Sequence, residues 1–328
     1  MSAALDIKTE VSGHFAMIVH GGQRGRVVLA EFDNIILNTG LNYVCAGGPN
    51  PMQFCQIGTG TSTPTSADAS LQAYLAYTGD VQSDSFATAA LVLGPPPYKE
   101  GSKRFRFAIG AAAGVLAEVG IGWASNGSLW SRARIADVNG APTTITVLAD
   151  EQLDVVYTLR AYLPNVDVTG SVTLSGLSYG YKLRTANIND SQLFVPYYLL
   201  NLFRGDIDSG AQYTNMRAYS GAIDVNSSYP AGSFAGNEYA GTGVFAAYVN
   251  NSFQRAIEFK ADLNGCNLPA GIRSIVFRGS GSYGTPCVSY QAEFTAAASV
   301  ATYGTNIPKD NTKVLKMTLM FSLARRFP

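Results

Sequence analysis

Hydrophobic residues along the chain recur mostly at every second position or in short runs. Leu153, Val155, Tyr157 and Leu159 alternate with Asp154, Thr158 and Arg160, broken only by Val156, which predicts a half-buried strand over 153–162. Gly13–His20 and Arg26–Phe32 read as a strand pair around the turn at Gly21, Gly22 and Gly25. The run Asn34–Asn42 opens a short helix through Tyr43 and Val44. Residues 46–66 read as a Gly/Pro/Ser/Thr loop, and Asp68–Tyr74 as a helical turn or the start of a strand. A loop over 94–104 precedes strands at Arg104–Ile109, Val115–Ala124, Leu129–Ile135 and Thr143–Leu148. Val168–Leu183 reads as a strand or a hairpin, and Phe253–Phe259 and Arg273–Phe277 as strands. The last strand, Lys313–Arg325, loses its alternation partway.

This pattern predicts a mostly β protein of antiparallel, β-sandwich-like domains, with long Gly/Tyr/Ser-rich loops and few short helices. Both halves close on a strand followed by a short tail ending in proline, Pro164 and Pro328. The expected division is therefore an N-terminal attachment or scaffold domain, 1–164, and a C-terminal domain, 165–328, carrying a loop-rich segment at 190–280.

Composition narrows the partners. Among 328 residues, 23 Lys and Arg balance 23 Asp and Glu, and only 14% are charged. A neutral chain lacks the electrostatic footprint of a nucleic-acid binder or of a protein held on anionic lipid. The apolar stretch Phe107–Ala124 carries Glu118 and four glycines, so it reads as buried strands, and no membrane insertion is expected. Scarce charge also suits close packing between subunits, a hint of assembly into something larger.

Little chemistry is spelled out. The two histidines, His14 and His20, confine any imidazole-based catalysis to one short stretch. Gly58-Thr-Gly60 lacks the third glycine of a dinucleotide fingerprint, and neither a phosphate-binding P-loop nor a His-Glu-x-x-His motif occurs. Cys45, Cys55, Cys266 and Cys287 form no C-x-x-C pair, so no metal is expected. Reduced thiols fit synthesis in a cytoplasm, and Cys45–Cys55 and Cys266–Cys287 are the two pairings an oxidising medium would allow. Carboxylates for a glycosidase would come from Glu118, Asp150, Glu151 and Asp154. No catalytic residue or cofactor is assigned. The adaptable Tyr/Asn/Ser/Gly loops of 205–250 suit contact with a protein or a glycan, and Tyr219, Tyr229 and Tyr239 are the candidate contacts.

Several segments resemble, in order, those of tail proteins of tailed bacteriophages. They are Asn34–Leu41, Cys55–Thr65, Asp68 with Leu71, Ala117–Trp123, Leu129–Ile135, Thr144–Val155, and Ile307 through Leu319 and Arg325. The resemblance covers about 10–184 and 285–328, while 190–280 has no counterpart. It implies a virion structural protein, of tail or tail fibre, made in the host cytoplasm without a signal peptide. The resemblance implies that such a subunit assembles with itself as a homo-oligomer, a trimer first, and with other virion proteins, and contacts a host surface glycan. The family supplies no catalytic residue. A head or collar decoration protein, and a carbohydrate-binding or carbohydrate-active β protein, are the alternatives.

Overall fold

The computed structural model describes residues 4–79, 81, 90–94, 96–164, 166–188, 200, 203, 215–235, 242–280, 286–298 and 303–327. It is a mostly β protein, as the alternation predicts. The first half contains β1 (Ala4–Gly21), β2 (Val27–Asp33), β3 (Ile35–Ile36), helix α1 (Asn38–Cys45), β4 (Phe54–Gly58), β5 (Tyr74–Gly79), β6 (Ala90–Val92) and β7 (Tyr98–Arg106). It continues through β8 (Gly114–Leu116), β9 (Glu118–Gly122), β10 (Leu129–Arg134), β11 (Ile145–Val147) and β12 (Glu151–Tyr162). The second half contains β13 (Val168–Leu174), β14 (Leu177–Thr185), β15 (Asn215–Tyr219), β16 (Phe234–Ala235), β17 (Thr242–Phe245), β18 (Gln254–Ala261), β19 (Ser274–Ser280), β20 (Pro286–Ala296) and β21 (Leu315–Arg325).

One long layer, β17-β18-β21-β1-β12-β7-β6, runs through both halves. Its register puts apolar residues on a single face: Phe259 opposite Met317, Leu319 opposite Leu5, Phe15 opposite Tyr157, and Val155 opposite Phe105. Over the N-terminal part this face is covered by helix α1 and the sheet β3-β10-β9-β4-β5, which bring in Leu41, Val44, Ile57, Ile121 and Trp130. Over the C-terminal part it is covered by β13-β14-β20-β19-β15, the same sheet folded back on itself. The corner is β15–β17, joined through the single residue pair Asn215 and Thr242. Phe321 of β21 and Tyr290 of β20 lie five strands apart along the sheet, yet their ring centroids are 5.8 Å apart. A flat sheet would separate them by about 24 Å at its usual strand spacing.

The structure modifies several expectations. The division at residue 164 does not interrupt the sheet, because β1 pairs with β12 on one side and, in parallel, with β21 on the other. One hydrophobic core runs through both halves. Residues 98–104, expected as loop, belong to β7, whose polar sequence hides buried Lys99 and Lys103. The Lys103 ammonium donates to the Met52 carbonyl, a tertiary partner that no local pattern announces. Alternation in β21 does not break: Leu315, Met317, Leu319, Phe321 and Leu323 are all buried. Among the described residues, no helix is long and apolar enough to cross a membrane.

Candidate functional site

Glu118 and Arg132 sit buried on neighbouring strands, β9 and β10. Arg132 donates from Nε and Nη2 to Glu118 Oε2 at 3.0 and 2.8 Å. The backbone N–H groups of Gly60, Gln72 and Ala73 donate to the same carboxylate at 3.0, 3.0 and 2.7 Å. Arg132 also pairs with Asp68. Five donors on one carboxylate pin the loop 59–73 to the sheet. Gly58 and Gly60 are required by this arrangement, since a Cβ at either would strike the Glu118 carboxylate. The Gly-Thr-Gly segment thus cradles an internal carboxylate.

The other acidic candidates are also engaged, apart from Asp150, which is exposed. Asp154 accepts two hydrogen bonds from Arg106, both 2.7 Å, and one contact from His20 Nε2 at 2.9 Å. Burial would raise its pKa, but Arg106, with the charges of His20 and Arg104, outweighs burial and holds the carboxyl below its ordinary range. Glu151 takes the Arg24 guanidinium and the Leu148 N–H, which hold it low.

The aromatic candidates separate. Tyr219 is only 4% exposed, which corrects its expected role as a surface contact. It packs under Tyr229 and Phe234, with ring centroids at 6.3 and 5.9 Å. The Arg217 guanidinium lies over both of those rings, at 5.4 and 6.0 Å. Phe234, which the sequence did not single out, is 56% exposed and presents the cluster to solvent. Tyr239 lies outside the described residues.

Cys45 and Cys55 are separate buried thiols, so the first allowed disulfide is not formed. The second involves Cys287, whose side chain lies outside the described residues. Among the described residues, no group of three or more His, Cys, Asp or Glu could hold a metal ion.

A cleft of about 560 Å³ opens where the chain turns from β2 into β3. It is bounded by β10, the turn at 136–142 and Phe327 beyond β21, so both ends of the chain contribute. His14 and Asp33 meet at its rim, Nδ1 to Oδ1 at 2.8 Å. Of its residues, only His14 was a candidate from sequence. Glu31, Asp33, Arg134 and Phe327 lie on different elements, and no spacing in the chain links them.

Comparison with family models, with curated proteins and with solved structures gives no match.

Proposed function

We propose that this chain is a structural subunit of a tailed-bacteriophage virion, a tail or tail-fibre protein that assembles with itself and with other virion proteins. The observation that carries the proposal is the way the resembling segments interlock. Thr39 of Asn34–Leu41 donates to the carbonyl of Leu129, in Leu129–Ile135. Arg132 of that segment binds Asp68 and Glu118, and Glu118 receives the N–H of Gly60, in Cys55–Thr65. Segments far apart in sequence thus form one hydrogen-bonded unit, as expected if their order reflects a shared scaffold and not chance turn chemistry.

The Arg217–Tyr229–Phe234 cluster provides an exposed aromatic surface with a cation held over it, suited to a protein or glycan partner. Light scattering of the purified protein at several concentrations tests assembly. A stable trimer or larger ring supports the proposal, and a monomer at every concentration counts against it. Labelled protein in particle images then distinguishes tail from head or collar.

A further inference from the structure

We infer that Lys309 and Asn267 are the two halves of an internal isopeptide bond, a covalent cross-link that the folded chain forms between its own side chains. The inference is independent of the virion proposal and stands on the surroundings of one buried lysine.

Lys309 lies between the Ile272–Ile307 bridge and β21, and Asn267 in the connection from β18 to β19. Lys309 is only 2% exposed. A lysine is seldom so buried without a charged partner. Here the neighbouring carboxylates are taken: Asp310 binds Lys313 and Thr312, and Asp262 binds Lys260 at 2.8 Å. The Lys309 ammonium donates instead to Asn267 Oδ1 at 2.6 Å. Its other acceptors are the backbone carbonyls of Asp262, Asp310 and Leu263, at 3.0, 3.1 and 3.4 Å. Burial is the largest influence on this amine. With Lys313 it outweighs Cys266, Asp310 and Asp262 and holds the pKa below the ordinary lysine value. A lysine desolvated in this way is more readily the neutral amine, which is the nucleophile.

The amide is held from its other end, where Asn267 Nδ2 donates to the Leu263 carbonyl at 2.8 Å. Cγ of Asn267 is one C=O bond beyond Oδ1, so Nζ lies within about 3.8 Å of it, close to the near-attack separation of about 3–3.5 Å. The amine, having released one proton to solvent, adds to Cγ. The Nζ–Cγ bond forms and the Cγ–Nδ2 bond breaks. One proton passes from Nζ to Nδ2, which leaves as ammonia and recovers the solvent proton as ammonium. A secondary amide remains, and no oxidant or cofactor enters. Asn267 is half-buried and its bond to Leu263 lies at the surface, which gives ammonia a way out. The cross-link ties the β18–β19 connection to the approach of β21, the strand that joins β18 to β1, and closing that loop restricts the unfolded chain.

The test is intact mass spectrometry of the folded full chain, before and after incubation in mildly alkaline buffer. A mass lower than that of the sequence by one ammonia is expected, with a branched tryptic peptide joining Asn267 to Lys309. Lys309→Arg and Asn267→Ala are each expected to restore the full mass, and Asn267→Asp to form the same bond with loss of water. Cyclisation at an Asn-Gly pair such as Asn139-Gly140 also releases ammonia. A deficit of that origin persists in Lys309→Arg and gives no branched peptide, and that result overturns the inference. The full sequence mass in the unsubstituted chain after incubation also overturns it, and this measurement needs no variant to fold. The oligomeric state bears on the virion proposal and leaves this one standing.

Discussion

The guanidinium of Arg132 and the carboxylate of Glu118 are both sealed from solvent and meet at 2.8 and 3.0 Å across β10 and β9. Removing one partner leaves the other charge buried and uncompensated. Arg132→Met is therefore expected to destabilise the protein by about 3–5 kcal/mol, and the double variant with Glu118→Gln to recover part of that loss. Urea unfolding of the three proteins measures both effects. A double variant no better than the single one would mean that the loop contacts matter more than the charge pair.

Gly40 presents a conflict between local and tertiary terms. Alanine favours a helix over glycine by about 1 kcal/mol. At position 40, however, a Cβ would sit 2.6 Å from the Trp130 carbonyl oxygen and 2.7 Å from its Cα, both backbone atoms of β10. Overpacking costs about 1–3 kcal/mol, and backbone yields less readily than a side chain. Gly40→Ala is expected to lower the denaturant midpoint, and a raised midpoint would refute the close approach.

The aromatic cluster predicts two different losses. Tyr219→Ala removes a buried ring and is expected to cost about 3–5 kcal/mol of stability. Phe234→Ala trims an exposed ring, and its loss is expected in assembly or adsorption with little change in melting temperature. Equal melting shifts in the two variants would contradict the burial difference.

Acid should destabilise the fold. Asp154, Glu151 and Glu293 are held below their ordinary values in the folded protein. Glu151 is held by Arg24, while in Asp154 and Glu293 ion-pair partners outweigh burial. A depressed folded pKa contributes stability in full above the unfolded carboxylate values, about 4, and loses it as pH falls below them toward the folded values. Melting temperature is expected to drop from pH 5 toward pH 3, less steeply in Arg106→Gln. Equal slopes would mean that the Arg106–Asp154 pair does not contribute.

Burial pushes the Cys45 thiol up to about 12 and the Cys55 thiol well above its ordinary value. Iodoacetamide at pH 8 should therefore leave both unlabelled in the native protein and label both after unfolding, as read by mass spectrometry. Rapid native labelling of either would contradict its burial.

Much of the strand inventory was legible in the chain itself. A period of two follows from the pleat, so β2 and β12 announce themselves by alternation and the Gly13–His20 part of β1 by its β-branched and aromatic residues, while β21 reads as losing an alternation that it in fact keeps. The short helix at Asn38–Cys45 and the hairpin of β13 and β14 followed from equally local signals. β7 did not, because its buried faces include Lys99 and Lys103, and a lysine reads as exposed until a partner such as the Met52 carbonyl is brought to it. Nor could local pattern say that β1 would lie between β12 and β21, uniting two expected domains, since strand pairing depends on which edges meet in space. The same limit hid the cleft. Asp33, Arg134 and Phe327 carry no shared spacing and became neighbours only when β21 ended beside the β2–β3 corner. Local alternation determines which residues a strand can bury, because side chains point alternately to its two faces. Tertiary structure alone decided which charges were paired, which tyrosine was covered, and where a cleft was left open, because those outcomes depend on contacts that no local periodicity links, whether 14 residues apart as in Glu118–Arg132 or 127 as in Arg24–Glu151.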